Sequence, residues 1–251
     1  AARRSTEART RAAGVGWLMS ENIPRTALIL CERSCYFFFV SKGETTRQAI
    51  LLRATQLASV HGLDGISIGG LADAMAMSKS GVFAHFRSKE ALDVAVLEYV
   101  RDRFLTDTLM PSFKAKRGVA RLRALRDRMV DWMNAEWLPG GCPMLPAGFE
   151  LDDKPGPARD IVVAAQRDLL SAIAQAARIA VDEGELHPKL DTEQFAFEVH
   201  GAILASHQAM RLRQDPRAAE RIRDASTHWL RHRRRAHPLS GSTPGPWRTQ
   251  S

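Results

Sequence analysis

Cysteine is scarce, with three residues (Cys31, Cys35 and Cys142) in a chain of 251. That excludes a disulfide scaffold and fits a reducing, cytoplasmic setting. Long apolar runs are missing too. The longest, residues 27–40, is broken by Glu32 and Arg33 and falls short of the roughly 20 residues a spanning helix needs. No Gly-rich phosphate loop and no Gly-x-Ser-x-Gly elbow occur. Cys31 and Cys35 stand four apart, but no His or third Cys lies near enough to complete a metal site. The Asp152/Asp153 pair sits among Pro and Gly, where carboxylates usually cap or turn. No catalytic residue, metal or cofactor is therefore expected, and an enzyme is disfavoured.

What is present is ordinary soluble-protein composition, 45% hydrophobic and 25% charged, enough for a real core in one large domain or two smaller ones. The net charge of +8 invites a nucleic-acid reading, but its location matters. Residues 1–41 carry +3, 42–104 carry +1, 105–230 carry −1, and 231–251 carry +5. The excess sits in the two tails. Residues 1–41 read as a disordered extension: Met is absent at position 1, Met19 is an internal candidate start, and residues 37–40 lack the small residues of a signal-peptide cleavage site. Residues 233–251 read as a disordered basic tail.

From Thr45 the pattern is helical, and the fold class expected is all-α. Thr45 and Gln48 have capping-box spacing, and Ile50, Ala54, Leu57 and Ala58 recur on one helical face. Gly62 stands where a left-handed residue would end that helix. Ser67, Ser78 and Ser88 can each cap a following helix. The second and third helices are separated by a very short turn, which is the helix-turn-helix arrangement. Its second member can enter a major groove about 12 Å wide. Lys79, Ser80, Gly81, Ala84 and His85 point outward by helical spacing, Arg87 and Lys89 follow, and no acid lies between Asp73 and Glu90. Phosphate contacts need such cations with a clear approach.

Residues 71–92, Leu-Ala-Asp-Ala-Met-Ala-Met-Ser-Lys-Ser-Gly-Val-Phe-Ala-His-Phe-Arg-Ser-Lys-Glu-Ala-Leu, resemble the DNA-binding signature of the tetracycline-repressor (TetR) family. The resemblance runs over about 45–104. It implies an all-helical homodimer with an N-terminal helix-turn-helix domain (42–104) and a C-terminal helical domain (105–232) for dimerisation and inducer binding. It also implies that Ser67, Ser78, Lys79, Ser80, Gly81, Phe83, His85 and Lys89 lie at or near DNA. Phe83 stands where the family usually has Tyr, so a phosphate-bonding hydroxyl is lost while the packing is expected to stay. Ala76 stands where the turn usually has Gly, and a left-handed Ala costs about 1 kcal/mol.

Beyond 104 the pattern gives helices at 119–137, 158–184, 191–213 and 216–232, with residues 139–148 a dense breaker run and a short apolar piece at 149–151. Phe195, Val199, Ala202, Ile203, Ser206 and Met210 form a stripe containing small residues. In the family the two final helices usually build the dimer, so this stripe is the expected interface; the alternative is packing inside its own subunit. Trp132, Met133, Trp137, Met144, Phe149 and His200 are the candidate walls of an inducer pocket, or else core. Cys142, between breakers, reads as a turn residue unless a lowered pKa makes it a redox sensor. The functional expectation is a dimeric, cytoplasmic transcriptional regulator. Its partners would be double-stranded DNA carrying a palindromic operator and a small-molecule inducer, with repression the expected sign and Lys79 and His85 nearest the bases. The rival is a DNA-organising or co-regulator-dependent helix-turn-helix protein without an inducer.

Overall fold

The structure is a computed structural model, and it describes residues 42–233. The expectations for residues 1–41, with Cys31 and Cys35, and for the tail beyond 233 lie outside the described residues. Helices follow one another in the order α1 (Lys42–His61), α2 (Ile68–Ala74), α3 (Lys79–Phe86) and α4 (Lys89–Phe104). A π-helical turn (Leu105–Leu109) and α5 (Met110–Ser112) extend α4. They are followed by α6 (Val119–Met133), α7 (Met144–Glu150), α8 (Pro157–Asp182), α9 (Thr192–Arg211) and α10 (Ala218–His232). The described residues are helical, as expected, and none of their helices is long and apolar enough to cross a membrane.

The caps lie where the sequence puts them. Ser67, Ser78 and Ser88 accept the backbone N–H of Gly70, Gly81 and Ala91 at 3.0, 3.1 and 3.0 Å. Asp191 does the same for Glu193 and Gln194. Each bond satisfies a donor that a helix start would otherwise leave open. α1 differs. It begins at Lys42, and the Gln48 side chain donates to Glu44 one turn back at 2.8 Å rather than closing a box with Thr45. Gly62 ends α1 at φ +73°, the left-handed conformation that glycine adopts without steric cost. Ala76 occupies the same region at φ 53°, so the tight turn keeps its geometry and carries the strain of a Cβ.

Two apolar cores are stacked along the molecule. The first gathers Ile50, Leu51, Ala54 and Ala58 of α1 with Leu71, Val82, Phe86, Leu92, Val96 and Val100. It continues into Trp132, Leu138, Cys142, Met144, Ala147 and Val162. The packing therefore runs across residue 104, the expected domain boundary, because α7 and the start of α8 close the helix-turn-helix core. The second core holds α6, the rest of α8, α9 and α10.

The run 139–148 is half loop and half helix. α7 starts at Met144, and Pro146 falls in its first turn, where a missing N–H breaks no bond. Ahead of it, Gly140 lies so close to the end of α1 that a Cβ would stand 1.6 Å from the Ser59 carbonyl oxygen. Its N–H donates to Ser59 Oγ at 2.9 Å. Only glycine permits that approach. Two arginines of α6 are structural. Arg121 donates to the carbonyls of Phe113 and Ala115, and Arg126 to Ser226 Oγ.

Candidate DNA interface and effector cavity

α3 is held by two buried anchors, Val82 and Phe86, four residues apart and so on one helical face. The Arg47 guanidinium lies 5.3 Å from the Phe86 ring. The opposite face is open. Ser78, Lys79, Ser80, Ala84 and Arg87 are exposed, with Gly81 and His85 half-buried. Phe83 is 52% exposed, so its ring does not keep the packing role expected for it. Arg87 closes α3 at φ 64°, its N–H donating to the Phe83 carbonyl at 2.7 Å. The Lys79 stem runs over Gly69 of α2, placing its ammonium beside the capped start of that helix.

Lys89 is corrected. Its ammonium donates to the Leu63 carbonyl at 2.8 Å and to both carboxylate oxygens of Asp93. An ammonium has three donors, and all three are engaged. The residue fastens α4 to the α1–α2 turn and is not an open cation beside DNA. Burial pushes the Asp93 carboxyl up, against the opposing pull of Lys89.

The same turn is gripped from the other side. Glu150, the last residue of α7, accepts the N–H groups of Leu63 at 2.9 Å and Asp64 at 3.2 Å. Lys154 adds an exposed ion pair to Asp64 at 2.8 Å. It holds the Asp64 carboxyl below the usual range. This clasp involves residues that no motif flagged, because its members are 86 and 87 positions apart in sequence.

The first residues of α7 face elsewhere. Met144 and Leu145 form part of the wall of an open-mouthed cavity between α4, the π-helical turn, α6, α7, α8 and α9. Of the six expected wall residues, Trp132, Met133, Met144 and His200 line it. Trp137 does not. It packs edge-on against Trp132 at 5.3 Å and lies under the Arg103 guanidinium, one layer behind the wall. Phe149 is 70% exposed on the outside of α7. Cys142, read as a turn residue, is a buried wall residue whose thiol burial pushes up. That makes it a poor thiolate and an inert group.

The expected dimer stripe is also corrected. Phe195, Ile203 and Ser206 are buried within their own subunit. Phe195, Val199 and Ile203 line a cleft between α6, α9 and α10, while Ala202 and Met210 pack on the second core. The outward face of α9 carries Phe197, Gly201 and Ala205, with Leu212 just past its end; Phe197 is 66% and Leu212 75% exposed. The small residues of the stripe serve the close approach of α9 to α8 and α10.

The sequence matches the family described as bacterial regulatory proteins, tetR family, over residues 50–96. It matches the tetracyclin repressor-like C-terminal domain over residues 118–226. The chain belongs to the TetR family. Its fold is that of the family's DNA-binding transcriptional regulators. Among similar solved structures is a TetR transcriptional regulator from Chloroflexus aurantiacus J-10-FL, at 23% identity and TM-score 0.71, covering 77% of this chain and 98% of that one. Another is AibR in complex with isovaleryl coenzyme A and operator DNA, at 25% identity and TM-score 0.61, covering 73% and 97%. A third is a transcriptional regulator from Saccharomonospora viridis in complex with choline, at 18% identity and TM-score 0.66, covering 75% and 96%. A search of curated protein sequences found no significant match.

In this TetR-family chain two histidines report on packing. His200, against the cavity, and His207, seven residues on, each bury Nε2 without a partner. Burial holds both imidazoles below the usual His range, and Arg211 adds to the effect at His207. A depressed folded pKa means that the fold favours the neutral ring. That contribution is whole above the unfolded value of about 6.5 and is lost as pH falls through the folded values. The melting temperature is therefore expected to fall between pH 7 and pH 5, and to fall less in a His200→Gln/His207→Gln double variant. Equal slopes for the two proteins in a thermal-denaturation series would remove the histidines from this role.

Proposed function

We propose that this TetR-family protein is a dimeric, ligand-responsive repressor that reads a palindromic operator through α3. The observation that carries the reading is the exposed, acid-free face of α3, with Lys79 and Ser80 beside its capped start and Arg87 at its far end. On this reading Lys79 and His85 approach base edges, while Ser67, Ser78, Ser80, Gly81 and Arg87 meet phosphates. The exposed Phe83 ring suits an apolar contact such as a thymine methyl. The regulator reading, rather than an enzyme, rests on the family.

The second copy packs on the outward face of α9, where Phe197, Gly201, Ala205 and Leu212 leave a stripe uncovered in the monomer. An isologous dimer then presents two α3 helices to half-sites one helical turn or more apart. The cavity takes the effector, which is supported by the coenzyme A and choline complexes of similar regulators. α7 joins the two functions, with Met144 and Leu145 in the cavity wall and Glu150 on the α1–α2 turn. A ligand can lower operator affinity only by binding the released arrangement more tightly than the DNA-bound one.

Two measurements test this. Lys79→Ala should weaken duplex binding and reduce the slope of log affinity against log salt by about one unit. Lys89→Ala should instead lower the melting temperature and leave that slope unchanged, since its ammonium is already engaged. The reverse pattern in fluorescence-anisotropy titrations would exchange the roles of the two lysines. Phe197→Asp should sediment as a monomer while its circular-dichroism spectrum stays helical. A dimer of unchanged stability would move the interface off α9.

A further inference from the structure

Two residues of the core face two hollows at once. Met129 of α6 and Ile203 of α9 line the cavity beside α7, and both also line the cleft between α6, α9 and α10. The two hollows are therefore separated by a partition one side chain thick. Beyond it the cleft is apolar, with Leu122, Leu125, Phe195, Ile222 and Trp229 among its walls. Its polar residues are already bonded. Arg126 donates to Ser226 Oγ at 2.9 Å and, through Nε and Nη2, to Asp127 at 2.9 and 3.0 Å.

The two partition residues are both buried, but they differ in stiffness. Ile203 is β-branched and held to one χ1 rotamer on a helix. Met129 is unbranched, with three rotatable bonds and a polarizable thioether, and such a side chain re-packs readily around a neighbour. Along α6 the lining runs from Met133 to Leu122, eleven positions, or about 16 Å at 1.5 Å per residue. An extended chain advances about 1.2 Å per bond, so about 14 bonds cover that length. At the cavity end, Arg101, Gln166 and Asp168 line the wall and are partly exposed, so a polar group held there stays in contact with water.

We infer that the cavity and the cleft form one two-chambered effector site for a long, unbranched amphiphile. Its polar head lies at Arg101, Gln166 and Asp168, and its chain passes Met129 into the cleft as far as Trp229. The inference rests on the reading of the cavity as the effector site. It makes Met129 the residue that admits or stops a chain, and it brings a long ligand against α9 and α10 as well as α7.

The test uses the full chain with 6-bromohexan-1-ol and 12-bromododecan-1-ol, whose terminal bromine quenches an indole that it touches. Trp132 lines only the cavity and Trp229 only the cleft, so the two rings report the chambers separately. The long alcohol should quench Trp229 and the short one should not, with Trp132→Phe and Trp229→Phe assigning each signal. For the unbrominated alcohols, affinity should rise about fourfold per methylene from hexan-1-ol to dodecan-1-ol. Val199→Phe fills space at a position that lines only the cleft. It should weaken dodecan-1-ol by at least about tenfold and hexan-1-ol far less. No binding of either alcohol, quenching of Trp229 by neither or by both alike, or an affinity that stops rising within the series would each overturn the inference. The chain-length series needs no variant, so it decides the matter even if a substituted chain does not fold. Release of a bound duplex is followed in parallel. Quenching of Trp229 by the long alcohol without release would uphold the two-chambered site and refute the cavity as the regulatory site.

Discussion

Glu150 accepts two successive backbone N–H groups of the α1–α2 turn, and Lys89 holds the carbonyl between them. Hydrogen bonds to charged groups contribute about 1.5–3 kcal/mol each, far more than the exposed Lys154–Asp64 pair, whose worth is small. The clasp matters because of what it joins. The turn leads directly into Ser67, which caps α2, and the tight turn at Ala76 then fixes α3 against α2. The orientation of α3 is therefore set partly by a residue from the C-terminal half of the chain. The first core repeats the lesson, since Leu138, Met144 and Ala147 pack among the helix-turn-helix residues.

α7 is short enough for this to have consequences. It is seven residues long, about 10 Å at 1.5 Å per residue, with the cavity at one end and the clasp at the other. A rigid segment of that length cannot shift at Met144 and stay fixed at Glu150 unless something else yields. Gly140 adds a second point of attachment, fixed by a backbone approach that tolerates no side chain. A ligand that repositions α7 thus has a direct mechanical route to α2 and α3. No long chain of intermediates is required.

Much of this was legible in the sequence where the determinants are local. The caps at Ser67, Ser78, Ser88 and Asp191, the left-handed Gly62 and the short turn between α2 and α3 depend on nearby residues and hold, whereas the Thr45–Gln48 box does not, because α1 starts a turn earlier. Failures fall where the determinant is distant or two patterns coincide. Lys89 looks like a free cation until Asp93 and Leu63 are brought to it. Glu150 ends a helix most of which lies in the breaker run 139–148, because nothing local shows that Pro146 falls in a first helical turn. On α9 both the stripe from Phe195 to Met210 and the Phe197–Gly201–Ala205 row recur at helical spacing. Only the packing of α6, α8 and α10 decides which one is covered. Trp132, Met133, Met144 and His200 stand out for the cavity because bulky residues are rare, whereas Cys142 carries no such signal.

The most direct test of the account is selection of bound duplexes from a random DNA pool by the full chain. A dimer reading a palindrome through two α3 helices enriches one inverted repeat, with two half-sites related by a two-fold axis and spaced by about one helical turn or more. Retention of DNA without any enriched sequence, or enrichment of a single asymmetric site, would contradict it.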